Sequence, residues 1–168
     1  VEDGIMDAKQ IFDRNAPSFL EIGFGTGQSL LAIAKEQPDK NFIGVETHKP
    51  GIGALFLAMQ EEEISNIRIF DADVIDVLEK CIGNESLAGV QIFFPDPWPK
   101  RRHHARRLIQ PEFVKTLSSK LITGCSLHLA TDWEDYAQHM LKVLSQESFL
   151  KNEAIDFSER SSYRPIIT

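Results

Sequence analysis

The sequence has little cysteine and no long apolar run. It contains two cysteines in 168 residues, too few for a disulfide framework, so we expect a reducing, cytoplasmic environment. No stretch approaches the roughly 18 consecutive apolar residues of a membrane-spanning helix, and no charged-then-apolar leader opens the chain. We therefore expect no membrane partner. We expect the chain to be trimmed at both ends, because it begins at Val1 and stops at Thr168 just after a proline; the sequence leaves its oligomeric state open.

The sequence also has fewer basic than acidic residues. Asp and Glu number 25 against 18 Lys and Arg, which gives a net charge of −7. This excludes a protein that binds polyanions over its whole surface, because such a protein needs a basic surface overall. The apolar share of 42% and the charged share of 26% are typical of a globular domain and exclude a disordered or fibrous chain. We expect a single domain over residues 1–168, since neither a repeat nor a low-complexity linker divides the chain.

Short apolar runs alternate with longer amphipathic runs, a pattern typical of a parallel sheet with crossover helices. The expected strands are 18–22, 41–46, 67–70, 90–94 and 126–130. The expected helices are 28–36, 52–63, 74–81, 111–121 and 133–146. The alternation predicts an α/β fold with a doubly wound, mostly parallel sheet. Ligands bind such sheets outside the carboxyl ends of the strands, so polar residues that follow a strand are site candidates.

A glycine cluster, EIGFGTG at 21–27, follows the first expected strand. Gly23 and Gly25 allow positive φ and close approach of a ligand to the backbone. The third glycine comes one residue earlier than in the dinucleotide fingerprint G-x-G-x-x-G. Glu21 would repel a pyrophosphate but suits a cationic ligand, and E-x-G-x-G-x-G is the form seen in S-adenosylmethionine (SAM) methyltransferases. A tight turn with a solvated Glu21 is the alternative.

Acidic residues also follow the second and third expected strands. Glu46 lies about 20 residues beyond the glycine cluster, the spacing of an acid that binds ribose hydroxyls, a device that NAD enzymes share. Asp71 or Asp73 could accept a hydrogen bond from an adenine amino group. Asp73 could instead be only the N-cap of the next helix, and Glu46 only a cap or surface acid. Together these acids favour a nucleoside ligand.

The most specific stretch is FFPDPWPK at 93–100, after the fourth expected strand. Three prolines within five residues stiffen the backbone, which is useful if Asp96 must be held beside a reacting atom. Trp98 offers a flat face on which a base could stack. A proline-rich turn with a packed tryptophan is the alternative.

Basic residues are concentrated directly after this stretch. Five of the 18 basic side chains fall within eight positions: Lys100, Arg101, Arg102, Arg106 and Arg107. Such a concentration beside a site predicts a polyanionic substrate, RNA or DNA, with a solvated surface as the alternative. His103 and His104 lack the cysteine or acid spacing of a metal site, so we predict none.

One further acid follows the fifth expected strand. Thr131 and Glu134 have the spacing of a capping box, which would account for the start of the next helix. Asp132 is then spare at the same sheet edge. We expect it to contact the substrate, with an auxiliary cap as the alternative.

These motifs make the sequence resemble the bacterial tRNA (guanine-N7)-methyltransferase family along nearly its whole length, from EIGFGTG to the closing RPIIT. The resemblance implies a Rossmann-like class I fold, SAM as methyl donor, tRNA as partner and a variable-loop guanine as target. It implies cofactor contacts from Glu21, Glu46, Asp73 and Asp96, with Asp96 also catalytic. It implies substrate contacts from Lys100, Asp132, Thr168 and the segment 102–107, which includes Arg102, Arg106 and Arg107. The family's basic N-terminal extension and a further C-terminal segment are absent from this sequence.

Three other classes of protein share some of these features. An amino-group methyltransferase uses a D-P-P-[YFW]-like motif, but Trp98 here replaces its second proline. A SAM- or RNA-binding module without catalysis would not need Glu21, Asp96 and Asp132 together. A dehydrogenase is disfavoured by the glycine spacing.

Overall fold

The computed structural model describes residues 4–157. The strands are β1 (Ser18–Ile22), β2 (Asn41–Glu46), β3 (Ile67–Asp71), β4 (Leu87–Phe93) and β5 (Leu121–Ala130). The helices are α1 (Ala8–Phe12), α2 (Gln28–Glu36), α3 (Lys49–Glu61), α4 (Val74–Lys80), α5 (Pro111–Lys120) and α6 (Glu134–Leu144), with a 3₁₀ helix at Arg101–Arg106. None of the helices in this part of the chain is long and apolar enough to cross a membrane.

The sheet has the strand order β3-β2-β1-β4-β5, and every neighbouring pair is parallel. The order reverses between β1 and β4, because the chain leaves β1 toward β2 on one side and returns to β4 on the other. Such a reversal opens a crevice at the carboxyl ends of the two central strands. The predicted doubly wound α/β fold is confirmed.

The sheet is covered on both faces by apolar helix surfaces. One core cluster includes Leu30 of α2 and Leu55 of α3. The other includes Val77 of α4, Leu117 of α5 and Tyr136 of α6. Full burial of a side chain of this size contributes about 1.5–3 kcal/mol, so the two clusters fix the helices, and hence the loops between strands and helices.

The bounds of β1, α2 and β2 agree with the prediction, whereas later elements differ. Helix α3 begins at Lys49, three residues before the predicted start, with a proline in its first turn. Strands β4 and β5 begin earlier than predicted because Leu87 pairs with Leu121 beyond a register shift. Helix α1 was not predicted, since five residues are too few to show helical periodicity.

The start of α6 corrects a prediction. Its N-cap is Trp133, and no side chain caps the helix. The Thr131 hydroxyl instead accepts the Trp133 N–H at 3.2 Å, a turn that precedes the helix. The capping box predicted from Thr131 and Glu134 is therefore wrong.

Candidate active site

The predicted acids that the structure describes lie on or directly after the strands, along one edge of the sheet. The strand register places Glu46 beside Asp71, and Ile22 between Val45 and Ile92. Across the sheet, from β3 to β5, the residues along this edge are Asp71 and Asp73, Glu46, Glu21 with the glycine loop 23–27, Asp96, and Asp132. The glycine loop and the Asp96 loop follow the two strands that flank the reversal point.

The glycine loop has the open backbone that the sequence predicts. Gly23 has φ 72° and Gly25 has φ 59°, values that favour glycine. No atom lies within 4 Å of the position that a Cβ would take on either residue. The loop therefore presents bare backbone to open space, a cradle that a ligand can approach closely.

Helix α3 packs against this loop, a contact that the sequence did not predict. A Cβ on Gly51 would lie 2.1 Å from the Gly25 carbonyl oxygen, so the helix backbone packs directly against the loop. Gly51 lies one residue before the predicted start of this helix, so the sequence pattern gave no signal of the close approach.

Glu21 lies inside the sheet, 4% exposed, beside Gly44 and Gln91 of the neighbouring strands. The alternative of a solvated Glu21 is therefore wrong. A carboxylate in such surroundings interacts more strongly with a nearby cation than one in water, because the local dielectric constant is lower.

Glu46 holds the glycine loop to the end of β2. One carboxylate oxygen accepts the Gly25 N–H at 2.9 Å, and the other accepts the N–H groups of Thr47 at 2.7 Å and His48 at 3.0 Å. A carboxylate has about four acceptor positions, so capacity for one ligand hydroxyl remains. The ribose role stays a prediction.

The two acids after β3 differ in their contacts. Asp73 is the N-cap of α4 and accepts the Ile75 N–H at 2.8 Å, as the cap alternative predicted. Asp71 forms an ion pair with Lys49. An adenine contact by either residue stays a prediction.

The loop that carries Asp96 has an unusual backbone. Phe94 has φ 51° and Trp98 has φ 44°, so two non-glycine residues in the left-handed region enclose the segment 95–97. Such residues cost of order 1–3 kcal/mol each and persist where the surroundings enforce them. The Phe94 N–H donates to the Ala130 carbonyl at 2.8 Å, which ties the loop to the end of β5.

Asp96 itself is exposed. Burial raises the pKa of the Tyr136 hydroxyl, and the negative charge of Asp96 adds a smaller contribution in the same direction. Asp96 therefore lies within electrostatic reach of the start of α6.

The basic segment forms the 3₁₀ helix beside this loop. Lys100 and Arg102 are exposed. The Arg106 guanidinium lies 5.0 Å from the centre of the Trp98 ring, and the His103 ring meets the same tryptophan edge-on at 5.8 Å. The Arg106 cation thus covers one face of the Trp98 ring. Less of the ring surface remains for the predicted stacking of a base.

The position of Arg107 does not fit the substrate contact that the family resemblance implied. It is 2% exposed, and its Nε donates to the Pro97 carbonyl at 2.8 Å. Its Nη2 donates to the Asp135 carboxylate, and this hydrogen bond lowers the pKa of Asp135. A guanidinium enclosed in this way is not placed to bind a phosphate.

The remaining predicted site residues are Asp132 and Thr168. Asp132 is exposed on the turn before α6. Thr168 lies outside the described residues.

Within residues 4–157 no group of three or more His, Cys, Asp or Glu side chains could hold a metal ion. A cavity of about 320 Å³ lies elsewhere, between the segment 4–11 and β3, and contains none of the predicted site residues.

The fold agrees with that of known methyltransferases. Residues 15–165 match the model of a family described as "Putative methyltransferase". The solved structure of precorrin-6y C5,15-methyltransferase from Geobacter metallireducens GS-15 superposes with a TM-score of 0.62, at 11% identity, over 86% of this chain and 75% of that one. The 16S rRNA methyltransferase KamB gives 0.58 at 15% identity, over 85% and 74%. The chain is a methyltransferase of the Rossmann-like class.

Curated relatives narrow this class. Proteins named tRNA (guanine-N(7)-)-methyltransferase are 48% identical in Pseudoalteromonas atlantica, 51% in Idiomarina loihiensis and 54% in Paraburkholderia xenovorans, over 98%, 98% and 95% of this chain. The chain belongs to the tRNA (guanine-N7)-methyltransferase family. It spans 70%, 68% and 62% of the lengths of these three relatives.

Proposed function

We propose that the protein transfers a methyl group from SAM to N7 of a guanine in tRNA, the variable-loop guanosine, and forms 7-methylguanosine and S-adenosylhomocysteine. The observation that carries the proposal is the placement of Asp96 after β4, across the reversal point from the open glycine loop. The chain that holds this arrangement is about half identical to proteins named tRNA (guanine-N(7)-)-methyltransferase. We expect the reaction to need no metal and to take place in the cytoplasm.

The residues of the crevice fit SAM. When bound, SAM supplies an electrophilic methyl group on a positively charged sulfur. Gly23 and Gly25 offer the bare backbone that a bulky ligand needs, and Glu21 supplies negative charge for a cationic group. Glu46 would accept a ribose hydroxyl while it holds the loop, and Asp73 would face the adenine.

Guanine N7 carries an in-plane lone pair, so no base has to remove a proton before the methyl transfer. The main requirement is alignment of donor and acceptor, which can lower the barrier by about 7–11 kcal/mol. Positive charge moves from sulfur to the guanine ring during the transfer. The Asp96 carboxylate near that ring would stabilise this charge more in the transition state than in the ground state, while Asp132 would accept hydrogen bonds from the N1–H and amino groups.

The exposed cations beside the crevice would bind phosphates of the tRNA. We expect an Arg102→Ala, Arg106→Ala double variant to bind tRNA more weakly, with the salt slope reduced by about one for each arginine removed. Binding measured over a series of salt concentrations tests this. An unchanged slope would mean that the 3₁₀ helix is only a solvated surface.

A matched control removes two cations elsewhere. Lys35 and Lys80 are exposed and pair with Glu62 and Asp76 on other parts of the surface. A Lys35→Ala, Lys80→Ala variant has the same change in net charge. We expect it to keep the wild-type salt slope.

The proposed reaction is tested by incubating the full-length protein with bulk tRNA lacking 7-methylguanosine and with labelled SAM, followed by nucleoside analysis. We expect label in 7-methylguanosine. Label in a methylated amino group would favour the amino-group methyltransferase, and tRNA binding without transfer would favour a non-catalytic module.

A further inference from the structure

Arg107 differs from the other arginines of the basic segment in its burial. Its side chain is 1% exposed, whereas Arg102 and Arg106 are exposed. Removing a guanidinium from water is costly unless its donors are paired. The groups around Arg107 must therefore offset this cost. Their positions show which segments of the chain Arg107 connects.

The partners of Arg107 come from three segments. Its Nε donates to the Pro97 carbonyl at 2.8 Å, in the loop after β4. Its Nη2 lies 3.1 Å from His104 Nε2 in the 3₁₀ helix and donates to Asp135 in the first turn of α6. The guanidinium also lies 4.8 Å from the centre of the Tyr136 ring.

These contacts join the two loops that carry exposed acids. Pro97 is the neighbour of Asp96, and Asp135 lies three residues beyond Asp132. One planar guanidinium therefore connects the backbone beside the first acid to the helix that follows the second. Lysine cannot replace it, because an ammonium group is a single point charge without the fixed fork of donors.

We infer that Arg107 is a positioning residue that fixes Asp96 relative to Asp132, and that it is not a phosphate ligand. The inference rests on the proposed function, in which both acids face the same guanine. A displaced Asp96 would stabilise the transition state poorly, yet the exposed cations would still bind tRNA.

Kinetics of the full-length Arg107→Lys variant test the inference. We expect kcat to fall about 10–100-fold, because small misplacements of reacting groups have effects of this size. KM for tRNA and the salt slope of binding should stay at wild-type values. A raised KM with a smaller salt slope and unchanged kcat would identify a phosphate ligand and overturn the inference.

Arg14 provides the matched control for a purely structural arginine. Its Nε donates to Asn41 Oδ1 at 2.6 Å, and its Nη1 donates to the Pro38 carbonyl at 2.6 Å, at the amino end of β2 and away from the site. We expect Arg14→Lys to leave kcat unchanged. An equal loss of kcat in this variant would show that general destabilisation explains both effects.

Tryptophan emission gives a readout that does not depend on activity. The sequence has two tryptophans, Trp98 and Trp133, so Trp98 reports on its loop once Trp133 and any tryptophan outside this sequence are replaced by Phe. We expect Arg107→Lys to change the Trp98 emission, and Arg14→Lys to leave it unchanged. Unchanged emission in Arg107→Lys would overturn the inference. If the wild-type protein methylates no tRNA, the proposed function fails, while the emission still decides whether Arg107 holds the loop.

Discussion

An Asp96→Asn variant is expected to lose about 10²–10³-fold in kcat, the usual effect of removing one group that stabilises transition-state charge. The amide keeps the size of the side chain and removes its negative charge. Binding of tRNA should stay within about twofold of wild type, because the cations that bind phosphates are untouched. Single-turnover methylation and equilibrium tRNA binding measure the two effects separately.

Asp39 serves as the control for this substitution. It is an exposed carboxylate in the turn before β2, at the opposite edge of the sheet. Asp39→Asn should leave kcat at the wild-type value. Near-normal methylation by Asp96→Asn would remove Asp96 from the mechanism.

A Gly51→Ala variant is expected to lose SAM affinity by tenfold or more. The added methyl group would lie 2.1 Å from the Gly25 carbonyl oxygen, and neither backbone can yield without moving the glycine loop or α3. Overpacking of this kind costs about 1–3 kcal/mol of unfolding free energy. Calorimetric titration with SAM and denaturant unfolding measure the two effects.

The same helix contains its own control. Gly53 is exposed, and no atom lies within 4 Å of the position of a Cβ there. Gly53→Ala should keep SAM affinity and stabilise the protein by about 0.5–1 kcal/mol, because alanine is the better helix former. Equal SAM binding by Gly51→Ala and wild type would mean that α3 does not support the loop.

Local pattern was enough to predict the part of the fold that forms the crevice. The bounds of β1, α2 and β2 follow from apolar runs punctuated by glycine and proline, and the strand-end rule then places Glu21, Glu46 and Asp96 along one edge. The early starts of β4 and β5 were not predictable, because pairing across the sheet decides them.

The missed features of the site depend on contacts between distant segments. Sequence spacing grouped Arg107 with its exposed neighbours, because a run of basic residues does not show which one turns inward. Its partner Asp135 lies 28 positions further along the chain. Likewise, Gly51 has meaning only beside Gly25, and the two are brought together by packing of α3 on the sheet.

Because of the left-handed backbone at Phe94 and Trp98, the segment 93–100 cannot reproduce the site on its own. A short peptide copied from residues 93–100 would lack the Ala130 carbonyl that anchors Phe94, so its residues would relax to ordinary extended conformations. The shape that presents Asp96 belongs to the assembled sheet rather than to the eight-letter motif. Grafting this chemistry onto another scaffold would therefore require transplanting its anchors along with it.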